Sequence, residues 1–123
     1  MDDAEAYVAF QEGNRLLDSG NAHAATVALE RARELEPEKG SIRETLARAY
    51  FRIGRFAAAE EEFLATLELD PVNDYAHFGL ALSCARTGQR SRAIGHLKLA
   101  IAMRPGVTEY REALARIDPV SGV

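Results

Sequence analysis

Few side chains in this sequence have the chemistry that catalysis or metal binding requires. The histidines are His23, His77 and His96, and the single cysteine is Cys84. If the segment between them is helical, His77 and Cys84 lie roughly 10 Å apart along its axis, whereas a nucleophile and its base need about 3 Å. No histidine has a second ligand at metal-binding spacing on a shared helical face except by coincidence. We therefore predict that His77 and Cys84 pack between helices, and that the chain is not an enzyme and needs no metal or cofactor.

The run Glu60-Glu61-Glu62 is the remaining candidate for acid–base or metal chemistry. Successive residues of a helix point about 100° apart, so three consecutive carboxylates do not converge on one point. The run is more typical of a solvated outer helix face. We expect these glutamates to face water.

Composition limits the class of protein further. A chain of 123 residues, 47% apolar and 28% charged, has the size of one globular domain. Its net charge of −4 disfavours nucleic acid and anionic membranes as partners. An acidic N-terminus without a signal-peptide pattern, and the lack of an apolar run of about 20 residues, favour a cytoplasmic protein. The excess of Arg over Lys suggests a GC-rich bacterial genome.

The elements that position these side chains follow from an internal repeat. Four columns of residues recur at intervals of 34 in one phase across three units. They are Gly20, Gly54 and Gly88; Pro37, Pro71 and Pro105; Ala25, Ala59 and Ala93; and Leu29, Phe63 and Leu97. The glycine closes the first helix of a unit in a left-handed conformation, and the proline follows the second helix. The alanine lets two helices approach closely, beside a large apolar residue that fills the remaining space.

This repeat predicts a series of helical hairpins. The units run over about 6–39, 40–73 and 74–107. The predicted helices are 5–19, 22–35, 41–53, 56–69, 74–87 and 90–103. Ser41 and Glu44 have the spacing of a capping box, which supports a helix start at that point.

A further amphipathic segment follows the third unit. Over 108–117, Tyr110, Leu114 and Ile117 share one face, and charged residues occupy the other. A stack of repeats needs a polar outer face on its last unit, so this segment is predicted to be a capping helix. Residues 118–123 are predicted to be a short frayed tail.

The spacing and the residue types resemble the tetratricopeptide repeat. The middle unit carries the pattern most completely, as Leu46, Ala47, Tyr50, Gly54, Phe56, Ala59, Phe63 and Pro71. The resemblance covers nearly the whole chain and implies one domain over 1–123: an all-α, right-handed solenoid of three antiparallel helix hairpins plus a capping helix. It also implies a binding scaffold. The first unit departs from the pattern at Ala9 and Glu12, which an outermost helix without a neighbour tolerates.

The resemblance further implies that the first helix of each unit lines a concave groove for a peptide segment of a partner protein. The groove candidates are Tyr7, Phe10, Asn14, Thr45, Arg48, Phe51, Arg52, Tyr75, Phe78, Leu82 and Arg86. Aromatic residues and arginines are enriched at binding hot spots. Arg52 and Arg86 follow no acid at favourable helical spacing, so we predict that they meet carboxylates. The preferred segment then combines apolar and acidic residues.

Some chaperone-binding members of this family hold a ligand's C-terminal carboxylates with a clamp of lysines, asparagines and an arginine. Those positions fall here on Phe10, Asn14, Thr45, Tyr75 and Gly79, and only Asn14 matches. Binding of a chaperone tail is therefore not expected. Two alternatives to a peptide scaffold stay open. One is a self-assembling module, in which an exposed end or the groove receives a second copy; the weaker one is single-stranded RNA binding.

Overall fold

The computed structural model describes residues 2–120 of the chain. That part of the chain contains seven α-helices and no strand. The helices are α1 (Asp2–Asp18), α2 (Ala22–Leu35), α3 (Gly40–Arg52), α4 (Phe56–Leu69), α5 (Asp74–Arg86), α6 (Arg90–Met103) and α7 (Thr108–Ile117). The predicted all-α class is confirmed, and each helix begins and ends within three residues of its predicted bounds.

The turn inside each hairpin has the same backbone geometry in all three units. Gly20, Gly54 and Gly88 have φ values of 84°, 81° and 79°, a left-handed conformation that glycine adopts without a steric penalty. The residue after each glycine donates its N–H back to the end of the first helix, as Arg55 N does to Tyr50 O at 2.9 Å. This bonding closes each first helix and starts the second one directly. The predicted equivalence of the three units is confirmed.

The turns between units begin their helices differently from one another. Asn73 caps α5, because its side-chain oxygen accepts a hydrogen bond of 2.9 Å from Ala76 N. The capping box predicted for α3 is wrong. That helix already begins at Gly40, which places Ser41 inside its first turn, and its capping residue Lys39 makes no side-chain cap bond.

The core lies where the helices of a hairpin approach each other. Ala25, Ala59 and Ala93 are completely buried, as the repeat predicts for the small residues at the close contacts. Large apolar residues fill the space beside them. They include Leu29, Phe63 and Leu97 from the second helices and Leu17, Leu46 and Leu80 from the first helices.

The stacking of the hairpins fixes which face is concave. Consecutive helices pack along the chain, and in addition α1 touches α3 and α3 touches α5. Over the described residues, the second helices of successive units make no more than marginal contact with one another. The first helices are therefore closer together and form the inner row of a curved stack. Periodicity alone left this orientation open.

Helix α7 closes the stack as predicted. Tyr110 and Leu114 are buried against the third hairpin, whereas Glu109, Arg111 and Glu112 are exposed. The predicted fraying from residue 118 is wrong at its first position. Asp118 is buried, donates its N–H to Leu114 O, and accepts a 3.2 Å hydrogen bond from Arg90. Residues 121–123 of the predicted tail lie outside the described range.

Candidate functional site

The inner surface of the solenoid carries a pocket between α3 and α5. It has a volume of about 200 Å³, which is room for one apolar side chain of a ligand. Its lining residues are Arg48, Phe51, Arg52, Phe63, Tyr75, Gly79 and Leu82. The apolar residues offer burial, and the two guanidinium groups supply positive charge at the same place.

Phe63 reaches this pocket because residue 79, a glycine, has no side chain in its way. Phe63 belongs to α4, a second helix, and its ring lies against Gly79 of α5. A Cβ atom at position 79 would lie only 2.2 Å from the ring. Gly79 therefore allows the Phe63 ring to extend through to the inner row of helices.

A second pocket continues the first one toward the C-terminal end. It has a volume of about 300 Å³. Its lining residues are Phe51, Leu82, Ala85, Arg86, Ala113, Arg116 and Ile117. Because the two pockets share Phe51 and Leu82, they form one surface from α3 to α7, which we call the groove. Four arginines and no acidic residue are among its lining residues.

Six of the eleven predicted site residues line this groove. They are Arg48, Phe51, Arg52, Tyr75, Leu82 and Arg86. Phe78 lies beside it, with its ring centroid 4.7 Å from that of Tyr110 and 6.1 Å from that of Tyr75. It therefore supports the wall of the groove.

The predicted residues of the first unit lie outside both pockets. The Tyr7 hydroxyl accepts a hydrogen bond from Gln11, and Asn14 Nδ2 donates to Phe10 O at 3.1 Å. Thr45 also lines neither pocket: it is buried, and its hydroxyl donates to Ser41 O.

The two arginines singled out in the sequence already have contacts within the chain. Arg52 Nη1 donates to Leu17 O at 3.0 Å, a carbonyl at the C-terminal end of α1 where a cation is favoured. The Arg86 guanidinium lies 5.5 Å from the Phe51 ring centroid and 5.0 Å from that of Phe56. These contacts hold both cations in place. A guanidinium has five N–H donors, so the bond to Leu17 leaves Arg52 able to bind a ligand.

Tyr75 stays a neutral phenol at the centre of the groove. Burial raises the pKa of this hydroxyl, Arg48 and Arg52 work against that rise, and Glu44 adds to it. Glu44 in turn accepts a 2.9 Å hydrogen bond from Asn73 Nδ2. The Tyr75 hydroxyl therefore keeps its proton and is able to donate it to a ligand, whereas Arg48 already donates a hydrogen bond to its oxygen.

Some groove residues could have been found by extending the repeat further. Arg116 and Ala113 lie 34 residues after Leu82 and Gly79, so they occupy the same columns in an incomplete fourth unit. The interpretation of residues 108–117 as a capping helix alone places Arg116 on the solvated face of that helix. Phe63 gave no such signal, because its column predicts a core residue.

His77 and Cys84 pack between helices, as predicted, whereas His23 is exposed on α2. His77 and Cys84 are buried, and burial together with nearby Glu60 raises the pKa of the Cys84 thiol, which opposes its ionisation. His77 Nδ1 lies 3.0 Å from His96 Nδ1, and His77 Nε2 lies 3.1 Å from Pro71 O. A carbonyl only accepts, so His77 carries its proton on Nε2 and accepts the Nδ1–H of His96. This pair joins α5 to α6.

The expectation that the glutamate run faces water is wrong at two of its three positions. Glu62 is buried and accepts hydrogen bonds from Arg33 and from Arg43, the latter at 2.9 Å. Glu60 is buried on the other side of α4. It accepts from residues on and around α5 and α6, among them Thr87 Oγ1 at 2.7 Å and Gln89 Nε2 at 2.9 Å. Only Glu61 is exposed. The carboxylates diverge, as helical geometry requires, but toward neighbouring helices.

Two further observations concern ligands and membranes. Residues 2–120 contain no group of three or more His, Cys, Asp and Glu side chains arranged to hold a metal ion. In the same part of the chain, no helix has the length and the apolar character of a membrane span. The cytoplasmic location and the bacterial origin stay predictions.

The fold and the groove define a class of protein: an α-solenoid of helical hairpins with a cationic, apolar inner surface. The sequence model of the tetratricopeptide repeat matches residues 10–74 and 44–108. This chain belongs to the tetratricopeptide repeat family. A relative is the tetratricopeptide repeat and J domain-containing co-chaperone of Cryptococcus neoformans var. grubii, 35% identical over 88 residues. The match covers 72% of this chain but only 17% of that relative.

Solved structures share the fold at low sequence identity. The Arabidopsis OM64 tetratricopeptide domain superimposes with a TM-score of 0.93 at 16% identity, covering 98% of this chain and 99% of that one. The first such domain of Spaghetti (RPAP3), bound to the HSP90 peptide SRMEEVD, gives 0.90 at 19% identity, with coverage of 98% and 95%. MamA gives 0.89 at 20% identity, with coverage of 95% and 68%. At these identities the likeness establishes the α-solenoid.

Proposed function

We propose that this chain is a non-catalytic interaction scaffold that binds a peptide segment of a partner protein in the groove. The observation that carries the proposal is the lining of the groove, in which four arginines surround apolar pockets without an acidic residue among them. The family supports this type of function, and solved neighbours include domains bound to HSP90 and HSP70 peptides.

The chemistry of the two pockets selects the ligand. The pocket between α3 and α5 takes an apolar side chain, which gains about 25 cal/mol per Å² of apolar area removed from water. Carboxylates next to that side chain meet Arg48, Arg52, Arg86 or Arg116. Charge-assisted hydrogen bonds of this kind contribute about 1.5–3 kcal/mol when they are partly desolvated. The preferred segment therefore carries Asp or Glu beside Leu or Phe, with an affinity in the micromolar range.

A chaperone tail is a useful comparison for this proposal. The HSP90 peptide SRMEEVD of the Spaghetti complex also combines acidic and apolar residues. At the corresponding positions this chain has only Asn14 of the clamp that holds a terminal carboxylate, and Asn14 lies outside both pockets. We therefore expect the groove to bind side-chain carboxylates, so that amidation of the C-terminus of SRMEEVD should not change whatever affinity that peptide has for it.

The test is a peptide array followed by titration calorimetry on the best hits. The charge reversals Arg86→Glu and Arg116→Glu should each weaken binding about tenfold or more, by the value of one charge-assisted bond. Lys98→Glu is the matched control, because it makes the same charge change on the exposed surface of α6. Arg52→Glu needs a check of folding by circular dichroism, since it also removes the bond to Leu17.

Three results would count against this function. They are array hits that are basic or purely polar, affinities that do not respond to the groove variants, and an effect of Lys98→Glu as large as theirs. A strong preference for the free carboxylate of SRMEEVD would instead show a tail receptor and overturn the ligand class.

A further inference from the structure

An apolar face lies at the other end of the solenoid from α7. Ala4, Val8 and Ala9 of α1, with Val27 and Ala28 of α2, line an open depression of about 720 Å³. We call it the N-terminal face. Val8 and Val27 are 64% and 70% exposed, so these β-branched side chains project into water.

The repeat shows what this face does elsewhere in the molecule. Residues 42, 76 and 110 occupy the column of Val8, and Ile42, Ala76 and Tyr110 are all buried beneath the second helix of the preceding unit. Glu12 occupies a repeat position that is a buried leucine in the second unit, the third unit and α7. The N-terminal face thus has the shape that receives a packed helix, but it combines an apolar centre with a charged edge.

The charged side chains at that edge form acid–base pairs. Glu5 pairs with Arg31 at 3.1 Å, and Glu12 pairs with Arg15 at 2.6 Å. All four side chains are exposed, so they can exchange partners at little cost. A strongly acidic or basic partner meets like charge somewhere on this edge. A second copy related by a two-fold axis instead places a base opposite each acid, and its apolar residues opposite the apolar centre of the first copy.

The opposite end of the solenoid disfavours a head-to-tail arrangement. The exposed residues of α7 include Glu109, Arg111 and Glu112, and the large apolar residue exposed at that end of the described chain, Val120, lies beyond the helix. We propose that two copies of this chain associate through their N-terminal faces into a closed, two-fold dimer. The groove stays open in such a dimer, because the residues that line it lie on α3, α4, α5 and α7. The dimer does not depend on the peptide-binding function.

Sedimentation velocity of the chain, from about 1 µM to about 1 mM, tests the proposal, since one helix pair per copy gives a small interface and a weak affinity. We expect a concentration-dependent shift from monomer to dimer without larger species. Val27→Glu places like charges across the axis and should leave only monomer. Val72→Glu is the control, because Val72 is 72% exposed and lies between α4 and α5.

Circular dichroism should show the same helix content in both variants, because each replaces an exposed residue. The proposal is overturned by a monomer over the whole range or by open-ended oligomers. It is equally overturned by a dimer that Val72→Glu weakens as much as Val27→Glu, or by one that the groove substitution Arg86→Glu abolishes.

Discussion

At the scale of single residues, a missing side chain decides the shape of the groove. Gly79 is buried, and the space of its absent side chain is occupied by the Phe63 ring. The repeat does not require glycine at this position, since the same column has Thr45 in the second unit and Ala113 in α7. The pocket between α3 and α5 is therefore particular to this unit.

We predict that Gly79→Ala lowers both stability and ligand affinity. A Cβ atom 2.2 Å from the Phe63 ring forces that ring to shift, and overpacking of this kind costs about 1–3 kcal/mol. The displaced ring also changes the shape of the pocket. Gly95→Ala is the matched control, because no atom lies within 4 Å of a Cβ at that exposed helical position. It should stabilise the chain by about 0.5–1 kcal/mol. Equal urea midpoints for the two variants would contradict the prediction.

At the scale of helices, buried charged groups hold neighbouring elements together. Glu62 of α4 binds Arg33 of α2 and Arg43 of α3, so one carboxylate connects three helices. Tyr50 donates a hydrogen bond to Glu30 in the same region, and burial, the largest cause, together with Glu30 raises the pKa of that phenol to about 12. These groups fix the joint between the first and second units.

Glu62→Gln is expected to destabilise the chain by about 1–3 kcal/mol, because it keeps the volume but leaves two half-buried guanidinium groups without their counter-ion. Glu61→Gln, the next residue on the same helix, is exposed and should change stability by less than about 0.5 kcal/mol. Urea unfolding of both variants measures the difference. A neutral Glu62→Gln would mean that the contacts with Arg33 and Arg43 add nothing to stability.

The histidine pair makes the joint between α5 and α6 sensitive to pH. Burial, then the neighbouring His77 and Arg92, lower the pKa of His96 in the folded chain. The unfolded chain then binds the proton more readily, so stability is complete above the unfolded pKa of about 6.5 and falls as pH drops below it. Between about pH 7.5 and pH 5.5 the parent chain should lose more stability than His96→Gln.

His23→Gln serves as the control for that measurement, because His23 is exposed on α2. It should follow the pH dependence of the parent chain. The assignment of the effect to His96 fails if His23→Gln and His96→Gln change the pH profile alike.

At the scale of the whole molecule, each unit is stable only against its neighbours. Contacts in this stack join consecutive helices, with weaker contacts between first helices, so a disturbance in the middle unit reaches both sides.

Net charge acts at the same scale. Because the chain carries a net charge of −4, single-stranded RNA is a less favoured ligand for the cationic groove than a peptide.

Ala59→Leu is expected to cost about 1–3 kcal/mol, because Ala59 is completely buried at a close helix contact in the middle unit. Hydrogen exchange should accelerate in the first and third units as well as in α3 and α4. Ala57→Leu, an exposed position on the same helix, should leave both readouts unchanged. Acceleration confined to α3 and α4 would argue against nearest-neighbour coupling.

The sequence by itself determined the number, bounds and phase of the helices in this protein. The glycine column fixed the turns, because a left-handed backbone is a local property of the residue. The alanine and leucine columns fixed the buried faces, because helical periodicity is also local. Six of the eleven candidate groove residues followed from that phase, once the family indicated which face is concave.

Only the tertiary structure decided which side chains meet. Glu62 and Arg33 are 29 residues apart, Arg90 and Asp118 are 28 apart, and Arg52 reaches a carbonyl 35 residues earlier. Such pairs depend on the distance and rotation between helices, which the packing of every intervening residue sets together. For the same reason, the space that Gly79 leaves for the Phe63 ring could be recognised only after the helices were placed against one another. The burial of Glu60 and Glu62 likewise depends on that placement.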